Sequence, residues 1–538
     1  MSPASACNIA PEFAFMIAAQ SSYVPRLLPL RMPRLCVAVA AADASEMLAK
    51  AESLARDNPL LELRLDYLPQ PAAAFPKIKR LLELLPGTVL IATCRRAVNG
   101  GKFRGSVERQ MGVLTKAAAS GCQIVDLELQ SALAARRADL QRLRTRAALL
   151  LSFHDFRATR KLDETFQKML AFPAEFYKLV TTATSLDDNV VMMKFLEHQG
   201  QQHSIVGLCM GEQGIISRVL GVRAGSVFTF AAAGPGEETA PGQISARALR
   251  DTYRIEQVDA ATKVYGVAGD PVAHSLSPVA LNTAFRRENV NAVYLALHAK
   301  TLDDLLACVR GIPLHGLSIT MPYKESIVKH LDNCDAHTNR TGACNTVVRG
   351  PDGKLYGFNT DVAGVLRPLE QRFPLEGAKA LVLGAGGAAR AAVFGLKERG
   401  ADVYILNRTP APAQKLAHQA HARLARRPDL KKMTFDVIIN ATPLGMEGSK
   451  ESPLHEDEIN TRWLLEMVYS PAETRLVKMA RAKGVQIIPG AEMFVHQAAR
   501  QFEIWTGKPA PVEEMGRVVE RGIQEAAAAG QDKARKKA

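Results

Sequence analysis

A chain of 538 residues is longer than one hydrophobic core normally serves, and 47% hydrophobic with 23% charged residues excludes a disordered or fibrous chain. No apolar run approaches the roughly 18 residues that span a bilayer, so no membrane role is expected. The net charge of +14 suits anionic small molecules and a phosphate-rich cofactor, because no zinc-finger, RNP or basic-zipper pattern points to nucleic acid.

The eight cysteines are scattered, with no C-x-x-C pair. That pattern suits reduced thiols in a cytoplasmic protein and gives no framework for a metal. Residues 1–32 hold small and apolar residues without a basic n-region, which argues against a secretory signal. They are expected to be a disordered extension or an over-long start.

From residue 33 to 256 the pattern is a repeat. Apolar runs begin at Leu35, Leu60, Thr88, Gln123, Ala148, Phe176, Ser204 and Ser226. Near-continuous runs of this length read as buried parallel strands. Stretches between them, such as ERQMGVLTKAAASG closing on Gly121, read as amphipathic helices with a glycine stop. Eight such units predict a (β/α)8 barrel, an α/β fold.

Polar residues interrupt these runs at particular places. Glu62 and Arg64 share a face at period two, and Asp66 follows them. Arg95 ends the third run, His154 the fifth, Lys178 lies in the sixth and Arg218 follows the seventh. Barrel enzymes carry their chemistry at the C-terminal strand ends, so these side chains are expected at one mouth. A lysine among arginines, desolvated and beside cations, is suited to attack a carbonyl. His154, with a reference pKa near neutrality, is the candidate acid/base, and Arg218 offers a fork for a carboxylate.

After a short connection the pattern restarts with KVYGVAGDPVAHSLSP, opening a substrate domain expected over 262–365. A dinucleotide domain is expected over 366–490. There ALVLGAGGAAR runs from an apolar strand through Gly384, Ala385, Gly386, Gly387 and Ala388 into a helix, with Ala389 at the third fingerprint position. At the end of the next strand Asn407, Arg408 and Thr409 stand where NAD enzymes carry an acid. Arg408 attracts a 2′-phosphate that a carboxylate would repel, so the cofactor is expected to be NADP(H). Residues 491–528 read as C-terminal helices that return to the substrate domain. Residues 529–538 form a basic tail with Lys533, Arg535, Lys536 and Lys537.

The first half resembles type I 3-dehydroquinate dehydratase in E-x-R-x-D from Glu62, SFHDF around His154, FYKLV around Lys178, MGEQGIISR ending at Arg218, and TAPGQ from Thr239 to Gln243. The resemblance implies that Lys178 forms an imine with the C3 ketone of 3-dehydroquinate. His154 would then remove the C2 proton and help the C1 hydroxyl leave. It also implies that Glu62, Arg64 and Arg95 hold substrate hydroxyls, Arg218 the carboxylate, and Thr239 and Gln243 a closing lid. Thr239 stands where the family often has Ser, and Asn99 where it often has a Glu near the histidine.

Residues 263–528 resemble shikimate dehydrogenase through HSLSP, GLSITMPYK, TGACNT, GFNTD, NATPLGM, MVYSP and GAEMFVHQAARQFEIWTG, in that order. The resemblance implies Lys324 and Asp361 as the catalytic pair. Substrate would be held by Ser275, Ser277, Thr320, Asn345, Tyr469 and Gln497. Thr442, Met467 and Gly490 join the glycine loop and Arg408 around the cofactor. Leu281 and Glu466 depart from the family's usual His and Asp. The whole chain thus resembles a bifunctional enzyme of the shikimate pathway, serving aromatic amino-acid biosynthesis through chorismate, and a monomer or homodimer is expected. The alternative is a second half acting mainly on quinate; Ser275 and Thr360 favour shikimate.

Overall fold

The computed structural model describes residues 28–535 except 274, 447, 448 and 450, with side chains described through residue 528. The expectations for residues 1–27, for His274 and for the tail side chains Lys533, Arg535, Lys536 and Lys537 lie outside the described residues. Contacts divide the chain into two compact units, Met1–Thr184 with Val191–Gln257, and Ser185–Val190 with Val258–Ala538.

The first unit is built on eight parallel strands: β1 Leu35–Val39, β2 Leu60–Arg64, β3 Val89–Thr93, β4 Ile124–Glu128, β5 Ala148–His154, β6 Phe176–Thr182, β7 Ile205–Met210 and β8 Thr229–Ala232. Each pairs with its sequence neighbour, and β8 pairs with β1. Val227 N donates to Ile205 O at 2.8 Å and brings the two ends of the sheet together as a barrel. β8 starts three residues later than its apolar run; Ser226 makes only an isolated parallel bridge to Ile205, and its hydroxyl accepts from Gly207 N (3.2 Å) and donates to Phe228 O (2.9 Å).

Strand parity sorts the side chains. Leu60, Ile91, Ile124, Leu150, Phe176 and Val206, from β2 to β7, and Phe228 just before β8 belong to one buried apolar cluster. Two residues further along the same faces stand Glu62, Thr93, Asp126, Ser152 and Lys178. The inner face is therefore apolar at one end and ionic at the other.

The second unit holds two sheets. The first contains β9 Lys263–Gly269, β10 Ala292–His298, β11 Leu314–Ile319, β12 Asn333–Cys334, β13 Thr346–Arg349 and β14 Leu355–Phe358, in the order β10-β9-β11-β13-β14-β12. It is mixed, since β13 runs antiparallel to both β11 and β14. The second contains β15 Lys379–Leu383, β16 Asp402–Leu406, β17 Arg423–Leu424, β18 Phe435–Asn440, β19 Thr461–Glu466 and β20 Gln486–Ile488. It is wholly parallel in the order β17-β16-β15-β18-β19-β20, the doubly wound arrangement, with its crevice where β15 meets β18.

The helix Gly490–Thr506 leaves the second sheet and buries Phe494, Phe502 and Trp505 with Tyr265, Phe285 and Tyr294 of the first sheet's layer. Trp505 Nε1 donates to Val347 O at 3.1 Å. A side chain at Gly316 would lie 2.4 Å from that nitrogen, so the close approach requires glycine there. The helix Asp361–Glu370 spans the expected domain boundary at residues 365 and 366 and faces both Met493 and Gln497 through Gly364. Among the described residues no helix is long and apolar enough to cross a membrane.

Candidate active sites

In the barrel unit, Asp126 is the centre of the ionic layer. It accepts from Lys178 Nζ at 3.0 Å, Arg95 Nη2 at 2.9 Å and Ser152 Oγ at 2.6 Å. Glu62 lies 3.6 Å from Lys178 Nζ and accepts from Thr93 Oγ1 at 2.7 Å. The ring of Phe230 covers the same ammonium at 3.7 Å from its centroid. Burial opposes the charge of Asp126, but Lys178, Arg95 and His154 outweigh it and hold the carboxyl well below its ordinary range.

Two expectations change here. Lys178 was expected among arginines; its nearest charged neighbours are carboxylates, and Arg95 reaches the same Asp126. His154 was expected as the acid/base on the strength of a reference pKa near neutrality. Burial first, then Arg95 and Lys178, push its pKa well below the usual histidine value, so at neutral pH the imidazole is a base ready to accept.

Arg64 is pinned by Asp66 through Nε at 3.0 Å and Nη2 at 2.8 Å. Arg218 is 1% exposed and donates through Nη2 to Pro241 O at 2.9 Å, with Nε unpartnered. Burial lowers its pKa to about 10, and no carboxylate pairs with it among the described residues. A buried, unpaired guanidinium of this kind favours an incoming anion. The same Pro241 carbonyl accepts from Gly211 N at 3.0 Å, and Gln243 Oε1 accepts from Thr239 N (2.8 Å) and Oγ1 (3.2 Å). The segment 239–243 is thereby folded down beside Arg218. Asn99 is half-buried with Nδ2 unpartnered, in a turn whose Gly100 (φ +80°) lies under the Phe156 ring that stacks on His154.

Sequence reasoning missed Asp126. Its place two positions after Ile124 of the inner cluster marks it as inward-facing, a parity that Glu128 shares. Glu128, two further on, is occupied by Arg96 N (2.9 Å) and Gln110 Nε2 (2.5 Å) and anchors the strand-end loop.

In the second unit Lys324 Nζ meets Asp361 Oδ2 at 2.5 Å, and Asn345 Nδ2 donates to Asp361 Oδ1 at 2.8 Å. Lys324 follows β11, Asn345 precedes β13 and Asp361 opens a helix after β14, so neighbouring strands deliver all three. Asn345 also reaches Thr360 Oγ1 (3.0 Å) and Gln497 Oε1 (3.4 Å). Ser277 N donates to Ser275 Oγ at 3.3 Å, Thr320 N to Ala268 O at 2.9 Å, and Tyr469 packs on Phe494 at 5.3 Å.

Behind Asn345 runs a buried chain the sequence reading missed. Tyr294 OH donates to Ser318 Oγ (2.5 Å), Ser318 to Gln501 Oε1 (2.8 Å), and Gln501 Nε2 to Thr346 Oγ1 (3.0 Å) and Asn345 O (3.2 Å). Gln501 lies four residues after Gln497, on the same helix face, and that spacing could have found it.

The crevice between β15 and β18 fits a dinucleotide. Gly384 has φ +112°, and a side chain there would lie 3.0 Å from Ala441 O. Gly386 caps the helix Gly387–Glu398 with open space around it, leaving the helix N-terminus free for a pyrophosphate. A side chain at Gly387 would lie 3.6 Å from Lys324 Cδ, which sets the glycine loop, with Ala385 and Ala388, beside the lysine–aspartate pair. Arg408 is exposed at the end of β16, between Asn407, whose Nδ2 donates to Thr409 O at 2.8 Å, and Thr409 itself. Thr442 N and Oγ1 donate to Asn440 Oδ1 at 3.1 and 2.7 Å. Met467 N donates to Asn440 O at 3.1 Å. Gly490 packs so closely under β19 that a side chain would lie 2.7–2.8 Å from the carbonyls of Glu466, Met467 and Val468. The close packing alone requires glycine at this position. Among the described residues no His, Cys, Asp or Glu group forms a metal-ligand set.

Comparison with known proteins matches residues 35–260 to the type I 3-dehydroquinase model and residues 267–347 to the shikimate dehydrogenase substrate-binding domain. Residues 368–459 match the shikimate/quinate 5-dehydrogenase model and 490–520 the shikimate 5′-dehydrogenase C-terminal domain. The chain is 33% identical over 505 residues to the chloroplastic bifunctional 3-dehydroquinate dehydratase/shikimate dehydrogenase of Arabidopsis thaliana, covering 89% of this chain and 83% of that protein. It is 38% identical over 283 residues to the shikimate dehydrogenase (NADP(+)) of Moorella thermoacetica, covering 50% of this chain and 96% of that one. The solved shikimate 5-dehydrogenase of Thermus thermophilus in complex with NADP(H) and shikimate is 35% identical, covers 48% of this chain and 100% of its own, and has a TM-score of 0.46.

Proposed function

This chain belongs to the bifunctional 3-dehydroquinate dehydratase/shikimate dehydrogenase family, and from that premise we propose how its residues divide the work. It is an enzyme of the shikimate pathway with both activities, a lyase and an NADP-dependent oxidoreductase. The dehydratase is assigned to residues 33–256, the substrate domain to 262–365, the cofactor domain to 366–490 and the returning helices to 491–528.

In the barrel, His154 takes the ammonium proton of Lys178, the freed amine adds to the C3 ketone of 3-dehydroquinate, and that proton leaves with the departing oxygen as water, giving a protonated imine and a neutral His154. The imine draws electrons from C2, and His154, held neutral, takes the C2 proton. The electron pair then expels the C1 hydroxyl, which leaves as water with that proton. Hydrolysis of the imine releases 3-dehydroshikimate and restores the lysine. Arg218 holds the substrate carboxylate, the segment 239–243 closes over it, and Glu62, Arg64 and Arg95 hold the hydroxyls. The observation that carries this half is the buried Lys178 Nζ at the ionic end of the barrel, held 3.0 Å from Asp126.

NADPH, when bound, supplies the hydride. Residues 384–388, Thr442, Met467 and Gly490 would hold it, and Asn407, Arg408 and Thr409 would take its 2′-phosphate. Lys324 Nζ keeps a proton beside the C3 carbonyl oxygen of 3-dehydroshikimate, and Asp361 orients that ammonium and accepts from a substrate hydroxyl. Ser275, Ser277, Thr320, Asn345, Tyr469 and Gln497 fix the carboxylate and the ring. The observation that carries this half is the placing of Gly387 beside Lys324. A cytoplasmic monomer or homodimer acting on small molecules completes the reading, supported by the free thiols of seven described cysteines.

Borohydride added with 3-dehydroquinate should leave a reduced adduct on Lys178, read by peptide mass spectrometry; its absence refutes the imine. Shikimate with NADP+ should give a higher kcat/KM than quinate or than NAD+. A preference for quinate would overturn the substrate assignment.

A further inference from the structure

Glu466 ends β19, is 1% exposed, and among the described residues has no cation as a hydrogen-bond partner. Burial pushes its carboxyl up to about 7, so the fold keeps this acid at a cost that a neutral residue would avoid. What it receives in return is specific. Oε1 accepts from Asn440 Nδ2 at 2.8 Å and Val468 N at 3.1 Å, and Oε2 accepts from Thr474 Oγ1 at 2.8 Å.

Each of those groups donates here, and the ionised carboxylate accepts from all three. The consequence passes through Asn440. Its amide must point Nδ2 at Glu466, which turns Oδ1 toward Thr442 N (3.1 Å) and Oγ1 (2.7 Å), while Thr442 Oγ1 accepts from Leu444 N at 3.3 Å. The Glu466 carboxylate, together with Leu444 O, which accepts from the same Nδ2 at 3.4 Å, thereby fixes the loop after β18 and, through Val468 N, holds the segment after β19. Those two segments line the crevice on the side where Gly490 packs under the carbonyls of residues 466–468.

We propose that Glu466 is a positioning residue for the cofactor, acting through Asn440 on Thr442 and through Val468 on Met467 to hold both walls of the NADP crevice. The inference rests on the dehydrogenase reading above. It gives Glu466 a role in cofactor affinity that touches neither substrate nor hydride.

The test uses the full chain with E466Q and E466D. In E466Q the amide nitrogen faces groups that also donate, so the KM for NADP+ should rise at least about fivefold while the KM for shikimate stays within about twofold. E466D keeps an acceptor and should recover most of the loss. Thr474→Ala against Thr474→Ser repeats the comparison from outside the crevice: the alanine should raise the NADP+ KM, and the serine, which keeps its hydroxyl, should not. This second pair decides the matter if E466Q does not fold. An unchanged NADP+ KM in E466Q, an equal rise in both KM values, or an effect of T474S equal to that of T474A overturns the proposal. Wild-type chain without NADP+-dependent oxidation of shikimate would instead overturn the parent reading and this inference with it.

Discussion

Asp126 balances two buried cations that Glu62 alone would leave undercompensated. Replacing it with Asn should destabilise the barrel unit by about 3–5 kcal/mol, the cost of stranding buried charge, measured by denaturant unfolding of the full chain. His154 makes a second expectation, with a definite sign. Its folded pKa is depressed by burial, Arg95 and Lys178, whereas the unfolded chain takes up a proton near the ordinary histidine value. The unfolded state therefore binds more protons below about pH 6.5, and stability falls as pH drops through that value, by up to about 1.4 kcal/mol per unit. Barrel stability followed from pH 8 to pH 5 should show that slope, reduced in H154N. Glu62, Arg64, His154 and Lys178 were legible as polar breaks in apolar runs. Asp126 was not, because in QIVDLEL it reads as one of two acids of equal standing. Only the side-chain contacts, Lys178 Nζ at 3.0 Å from Asp126 and Arg96 N at 2.9 Å from Glu128, tell them apart.

At the scale of the element, the glycine turn after β15 depends on geometry that another residue resists. Gly384→Ala would put a side chain at φ +112° and 3.0 Å from Ala441 O, costing about 1–3 kcal/mol. Thermal unfolding should show the loss in the second unit, and the KM for NADP+ should rise. Arg408 sits on the next strand end, exposed and without an acid beside it in sequence. R408A should raise the KM for NADP+ by about tenfold and leave that for NAD+ nearly unchanged, since only the former carries a 2′-phosphate. The strand–glycine–helix unit and the eight barrel strands were legible because each is a long local pattern. The two-residue strands β12 and β17 were not, for they exist by pairing with β14 and β16. Nor does any local feature of β13 announce that it runs antiparallel between β11 and β14.

The whole molecule consists of two compact units, each with its own core, so a single two-state transition is not expected. Calorimetry of the full chain should resolve more than one unfolding event. NADP+ at about a hundred times its Kd should stabilise the event belonging to residues 258–538 by about 2.7 kcal/mol and leave the barrel's in place. Movement of both events together would show that the units unfold as one.

Their joining in one polypeptide has a consequence for metabolic supply. Every translated copy delivers one lyase and one reductase, so transcription cannot change their ratio. Any imbalance between making and consuming 3-dehydroshikimate must be corrected in the turnover numbers themselves. Selection on either catalyst's rate therefore acts at once on how much of the intermediate is left standing.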